Sequence, residues 1–510
     1  MKHELLLAVD RKLEVPLNRQ IYEHIRTAIH RGTLSAGDPL PASRRLASQL
    51  DISRSVILQT YEQLHAEGYV EMRQGAGTFV AALTPVQGGS GMDNGAEEED
   101  NPPARCLGIE PDLASLSPFP VSVTCKESAI FCDFRHGIPA WDAFPMEHWQ
   151  KALLNACRRA TPDTLGYGPA EGSLHLRQEI ARMMRVSRSI PVTPEQIIIT
   201  SGATQALDIL ARLCLTDGDG VIMEDPSHHT VREIFRFAGG EIIPVRVDGE
   251  GICVDEIGES VNRTIEHRQL QLQPPKLVYV TPSHQFPLGS TLSLNRRIQL
   301  LKWAKDNDAF IVEDDYDSEY RYAGPKLSAL AGLDSSGRTA YVGSFSKILF
   351  PALRIGYIIL PPALIPGYMA VKWLADRMSP SLNQEALAEF IESGQYARHV
   401  ARMNKLYSRR RACLLQCLKQ DFGDRIRVFG EEAGLHVLIE LESVAGEMEI
   451  AEAALQHGVL VYPAASYFVN SKTRRPSFVL GYSNLTESQM ALGIRAFARA
   501  EAAAVARSIP

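Results

Sequence analysis

The sequence predicts two folding units of different class: a small helical unit closed by a β-hairpin in residues 1–81, and a large α/β unit with a mostly parallel sheet in residues 131–510. Three observations predict this. Apolar residues recur at helical spacing through the first sixty or so residues and then alternate up to residue 80. Further along, six short aliphatic runs alternate with helical stretches, the pattern of strands covered on both faces. Between the two lies a segment, 82–130, in which glycine, proline and acidic residues leave too little apolar surface to offset ordering entropy. At 510 residues, 45% of them hydrophobic, the chain is long enough for more than one core.

The first unit is built in order. Pro16-Leu17 opens a helix whose Leu17, Ile21, Ile25 and Ile29 share a face, and Gly32 ends it. Leu46, Ala47 and Leu50 mark a second, short helix. Ser53 is placed to cap a third, with Val56, Ile57, Thr60, Tyr61 and Leu64 facing inward. Two short helices joined by a tight turn form a helix-turn-helix. Its outward residues, Ser53, Arg54 and Ser55 with Arg44 and Arg45 beside them, are the types that meet base edges and phosphates in a major groove. Beyond Gly68 the alternation in Tyr69–Arg73 and Thr78–Val80, with Gly75 and Gly77 between, describes a hairpin wing.

Charge follows the same partition. Residues 1–80 hold ten basic and nine acidic side chains, residues 81–130 two and eight, and the remainder 41 and 43. The middle stretch, with Glu97-Glu98-Glu99-Asp100, reads as a solvated acidic linker. A net charge of +1 over the first unit is small for a DNA binder, so affinity would come from a local patch and a dimer. The eight cysteines are scattered without zinc-ligand spacing and read as reduced thiols. No run of about 18 apolar residues occurs and the charged start lacks an export signal, so no membrane association is expected and the chain is placed in the cytoplasm.

In the second unit the six runs are Ile197–Ile199, Val221–Met223, Leu277–Val280, Phe310–Val312, Ala340–Val342 and Ile358–Leu360. Ligands of such sheets sit beyond the carboxyl ends of the strands. There the sequence offers Gly202-Ala203-Thr204, Asp314 with Tyr316, and Ser344 with Lys347. Backbone N–H groups at a helix start suit a phosphate, and Arg354 can grip the same group bidentately. A lysine crowded by cations has its pKa lowered and forms an imine with an aldehyde. A carboxylate at a buried strand end needs a cation, which a protonated pyridine nitrogen supplies. Together the set suits pyridoxal 5'-phosphate.

Two resemblances follow from these residues. Leu40–Ala47, Ile52–Val56, Ala66–Tyr69 and Gly75–Val80 resemble the GntR-type winged helix across nearly all of residues 15–80. Ser344-x-x-Lys347-x6-Arg354, with Asp314 upstream and Gly202-x-Thr204 before it, resembles fold-type I pyridoxal-phosphate-dependent aminotransferases, which carry a smaller C-terminal subdomain. Their union is similar to the MocR-type transcription regulators.

That resemblance implies particular roles. Lys347 would carry the imine to the cofactor, Asp314 meet the pyridine nitrogen, Tyr316 bond the ring hydroxyl, and Ser344 with Arg354 hold phosphate. Gly166–Arg177 looks like a dimer-contact segment in which Tyr167 reaches the phosphate site of a head-to-tail homodimer partner. His228 stands where the ring-stacking aromatic is usual. Arg475 aligns with the arginine that takes an amino-acid carboxylate in the GABA-responsive member; that member's second such arginine is Thr230 here, and Phe286 replaces the asparagine usual in aminotransferases.

Two function classes remain open on the sequence. One is a regulator that binds double-stranded operator DNA through Arg44, Arg45, Ser53, Arg54, Ser55 and Gly77 and responds to a small amino compound or to pyridoxal phosphate itself. The other is a working aminotransferase with a DNA-binding appendage, which turnover of an amino acid with a keto acid would reveal. The basic stripe Arg398, Arg402, Lys405, Arg409, Arg410 and Arg411 reads as a solvated helix face. His228-His229 lacks partners at metal-ligand spacing, so no metal is expected.

Overall fold

The structure, a computed structural model, describes residues 9–11, 15–73, 77–82, 130–268, 273–322, 327–469 and 475–508. The chain divides into two compact units, Met1–Glu110 and Pro111–Pro510. The expected linker falls almost wholly outside the described residues, as do Cys106, Cys125 and Gly75.

The first unit contains helices α1 (Leu17–His30), α2 (Ser43–Gln49) and α3 (Arg54–Ala66), followed by strands β1 (Val70–Arg73) and β2 (Gly77–Val80). Isoleucines 21, 25 and 29 lie on one face of α1 because four residues make about one turn. They are buried with Leu46, Ile57, Tyr61 and Leu64. The strands pair antiparallel, with Val70 opposite Val80 and Arg73 opposite Gly77. Ser53 occupies the position before α3 in extended backbone, but no side-chain cap forms there. Its hydroxyl lies 2.9 Å from that of Ser55 instead, which corrects the expected capping bond.

In the second unit the strands are β3 (Cys132–Asp133), β4 (Ile197–Thr200), β5 (Asp219–Asp225), β6 (Glu241–Asp248), β7 (Gly251–Ile252) and β8 (Gln273–Val280). After them come β9 (Phe310–Asp315), β10 (Thr339–Ser344), β11 (Gly356–Ile359), β12 (Ile426–Phe429) and β13 (His436–Leu441). The last are β14 (Val459–Leu460), β15 (Tyr462–Pro463) and β16 (Ser477–Gly481). All six aliphatic runs fall on strands of one eight-stranded sheet, ordered β4-β11-β10-β9-β8-β5-β6-β7, with Leu360 alone one residue past β11. The four pairings among β10, β9, β8, β5 and β6 are parallel, and β11 runs antiparallel to both β10 and β4. A second sheet, β12-β13-β16-β15, belongs to the chain's C-terminal part, and β14 pairs with β3.

Alternate residues of a strand face opposite sides of its sheet. Accordingly Ile198, Val342 and Ile358 pack with Leu207 and Leu210 of one helix, while Ile197, Ile199, Tyr341 and Tyr357 join a separate cluster with Leu176 and Phe390. Burial on both faces is why these strands read as continuous aliphatic runs. Because β11 is antiparallel to both β4 and β10, the carboxyl ends of β4, β10 and β9 point the same way, with β11 between β4 and β10.

Candidate functional site

Lys347 stands three residues past the end of β10, where it lines a cavity of about 200 Å³ together with Asp314, Tyr316, Asp317, Ser344, Ala203, Thr204 and His228. Burial pushes its amine pKa down, opposed by the nearby carboxylates of Asp317 and Asp314. The depression therefore comes from lost water rather than from crowding cations, which corrects the cause expected from sequence. Gly137, at φ +71°, lies against this amine: a Cβ added there would stand 2.5 Å from the Lys347 Nζ.

Asp314 is the fifth residue of β9, and burial pushes its carboxyl up to about 6. The Tyr279 hydroxyl donates to it at 2.7 Å. The next residue, Asp315, faces the other way into a buried ion pair with Arg188 at 2.7 Å and accepts from the Tyr341 hydroxyl at 2.5 Å. That pair fixes the strand end which presents Asp314. Such a pair is costly to break, because removing one partner leaves a buried charge alone.

Gly202 begins the helix Ala203–Cys214 at φ +126°. Arg354 approaches it closely, with Nη2 3.3 Å from where a Gly202 Cβ would be. The free N–H groups of that helix start, the Ser344 hydroxyl and the exposed Arg354 guanidinium are donors of the kind a phosphate takes. The Tyr316 hydroxyl donates to the His284 carbonyl at 2.9 Å, and His284 Nδ1 lies 3.1 Å from Asp317 Oδ2.

Of the rings at the cavity, His228 and Phe286 were singled out in the sequence, while His136, His436 and the adjoining Tyr467 carried no recognisable signal. His136, His228, Phe286, His436 and Tyr467 form a set of rings whose neighbouring centroids lie 5.0 to 6.4 Å apart. Burial pushes the His136 and His228 pKa values down to about 3 each, so both rings are neutral at pH 7, and it also holds His436 well below the usual imidazole value. Buried His136 Nδ1 and His228 Nδ1 have no hydrogen-bond partner within the protein. These residues come from separated loops and from the start of β13, and no local spacing links them.

His284, Asp317 and His436 bring ligand-type atoms within 4.8 Å of one another, the sole such grouping among the described residues. His284 Nδ1 is already engaged by Asp317 and Tyr316, so the geometry is that of a hydrogen-bonded wall.

Arg475 and Tyr167 lie apart from the cavity, and Arg354, beside Gly202, also stands outside its lining. Arg475 precedes β16, is 45% exposed along its side chain and faces Glu442 at 3.9 Å. It is absent from the described cavity lining, so the expected effector contact is corrected: β16 carries buried Val479 beside Phe286 and Tyr467. Tyr167 is 83% exposed, with the Arg377 guanidinium 5.7 Å from its ring centre. The basic stripe of Gln395–Phe422 is not merely solvated either. Arg410 is buried and donates to the Ser483 carbonyl, and Arg402 donates to the Ala143 carbonyl at 2.6 Å.

In the first unit Arg44, Arg45, Ser53, Arg54 and Ser55 are all exposed around the start of α3. Arg54 Nε donates to Ser43 Oγ at 3.2 Å, which ties α3 to α2. Gly77 opens β2 at φ +116°. Among the described residues no helix is long and apolar enough to cross a membrane.

Comparison with known proteins follows the same division. Residues 17–80 match the gntR family of bacterial regulatory proteins, and residues 133–497 match class I and II aminotransferases. The chain is 36% identical over 491 residues to the uncharacterized HTH-type transcriptional regulator YdeL of Bacillus subtilis, covering 96% of this chain and 97% of that one. It is 34% identical to the probable rhizopine catabolism regulatory protein MocR of Rhizobium meliloti, over 96% and 94% of the two chains. Identity to the pyridoxine biosynthesis regulator PdxR of Corynebacterium glutamicum is 32% over 86% of each. Among solved structures, the multiple substrate aminotransferase of Thermococcus profundus is similar at a TM-score of 0.72 and 27% identity, over 79% of this chain and all of that one.

Proposed function

The chain belongs to the MocR-type transcription regulators, in which a gntR-family DNA-binding domain is joined to a class I and II aminotransferase domain, and from that premise we propose that its cavity holds pyridoxal 5'-phosphate and couples a small amine to operator binding. It is a regulator rather than a metabolic enzyme, with the fold of the aminotransferases put to sensing. The observation that carries the proposal is the convergence of Lys347, Asp314, Ser344 and the helix start at Gly202 on one cavity.

When bound, the cofactor supplies an aldehyde that takes up amines reversibly and a ring that acts as an electron sink. Lys347, whose buried amine gives up its proton more readily than a free lysine, would be the nucleophile. Asp314 would face the protonated ring nitrogen, a cation that draws its proton off and leaves the buried carboxylate paired. Ala203 and Thr204 N–H groups, Ser344 and Arg354 would hold the phosphate, and the neutral His228 ring would cover one ring face. The two orphaned imidazole nitrogens, on His136 and His228, fit a polar ligand in the cavity.

Arg44, Arg45, Arg54, Ser53 and Ser55 are the proposed DNA-contacting set, with Gly77 in the wing, in a domain of residues 1–81 joined through 82–130 to 131–510. We further propose a head-to-tail homodimer in which exposed Tyr167 of each copy completes the phosphate site of the other. A ligand shifts DNA binding only through its differential affinity for two states of the protein. The test is operator titration by mobility shift, with and without cofactor, alongside the visible spectrum. The proposal expects a visible band and a cofactor-dependent change in operator affinity; a colourless protein with one operator affinity in both conditions would contradict it.

A further inference from the structure

The ring set beside Lys347 indicates what kind of amine the cavity takes. His136, Phe286 and His436 line the cavity, and Tyr467 packs on Phe286 with centroids 5.0 Å apart. Aliphatic Leu207, Val231, Ile234 and Leu435 line it as well, while its uncharged polar groups besides the imidazoles are the hydroxyls of Thr204, Thr230, Thr281, Ser344, Tyr279 and Tyr316. The formally charged lining side chains among the described residues are Lys347 and the carboxylates of Asp314 and Asp317. Arg354 lies beside Gly202, where the phosphate is proposed to sit, and the other candidate cations nearby have partners of their own. Arg232 donates to the Ser466 carbonyl at 2.7 Å, Arg135 donates to the Tyr462 hydroxyl at 2.9 Å, and Arg475 faces Glu442. The lining histidines are neutral at pH 7, as burial dictates.

A carboxylate brought against this wall would lose its hydration, meet no lining cation among the described residues besides Lys347, which the cofactor would engage, and lie near Asp317. An apolar body loses nothing by the same transfer, and an ammonium group approaching the cavity is attracted by Asp317. We infer that the effector is a primary amine with an aromatic or aliphatic body and no carboxylate. This rests on the reading of the cavity as the cofactor and effector site.

The test uses the full-length protein loaded with pyridoxal phosphate and two matched pairs of ligands in titration calorimetry: 2-phenylethylamine against L-phenylalanine, and n-butylamine against 4-aminobutyrate. The inference expects each amine to bind at least tenfold tighter than its carboxylated partner. It is overturned if either amino acid binds as tightly as its amine, or if neither amine binds. The two failures separate cleanly. A protein that shows the visible cofactor band and binds its operator but rejects both amines refutes the effector class alone, whereas a protein that holds no cofactor refutes the reading of the cavity as well.

Discussion

Gly137 and Lys347 touch across the cavity so closely that a single added methyl on Gly137 would sit 2.5 Å from the lysine Nζ. Gly137 also adopts φ +71°, a conformation costly for other residues by roughly 1–3 kcal/mol. Gly137→Ala is therefore expected to displace the amine and weaken cofactor binding by about tenfold or more, read as cofactor retention by visible absorbance after dialysis. Retention equal to the parent protein would show that the contact is slack.

Arg54 stands exposed at the first turn of α3, bridged to Ser43 of α2. A bidentate base contact discriminates by about 1–3 kcal/mol. Arg54→Ala should then lower operator affinity by about tenfold or more while the cofactor spectrum stays unchanged, since the two sites lie in different units. Mobility-shift titration decides it, and undiminished affinity would remove Arg54 from the DNA-contacting set.

His136 and His228 are pushed down to about 3 by burial, with Lys347 next among the causes for His136 and neighbouring His136 for His228. In the unfolded chain each titrates near 6.5. Between those values the unfolded state binds more protons, so stability rises with pH across that window and is lost as pH falls toward 3. Cofactor-free protein should melt at falling temperatures from pH 7 to pH 5, and His228→Gln should flatten that slope. A slope equal to the parent's would show that His228 is not the group responsible.

Tyr167 is 83% exposed, unusual for a ring within the segment 166–177 that resembles a dimer contact. Tyr167→Phe removes only a hydroxyl. It should leave a dimer in sedimentation yet weaken cofactor binding about tenfold through one lost phosphate bond of roughly 1.5 kcal/mol. Unchanged cofactor affinity would exclude the tyrosine from the phosphate site.

The large sheet was legible in the sequence because strands buried on both faces read as unbroken aliphatic runs, and each of the six runs lies in it. Residues immediately after those runs, Gly202, Asp314, Ser344 and Lys347, were legible for the same reason, since strand ends are fixed by the pattern. His136, Gly137, Asp317 and His436 were not, because they reach the cavity from loops and from β13, with no periodicity to connect them. Arg475 misled because alignment of a motif does not fix which side chain of a strand faces inward; Val479, four residues on, is the one packed behind the cavity. The Ser53 hydroxyl, competent as a cap by type, takes a neighbouring hydroxyl instead.

Lys347→Ala tests the account most directly, with operator affinity measured for parent and variant as cofactor and then 2-phenylethylamine are added. The account predicts that the variant retains basal operator binding, shows no visible cofactor band and gives no change in affinity on either addition, while the parent responds. A variant that responds as fully as the parent would contradict it, leaving the aminotransferase-like domain without a sensing role for Lys347.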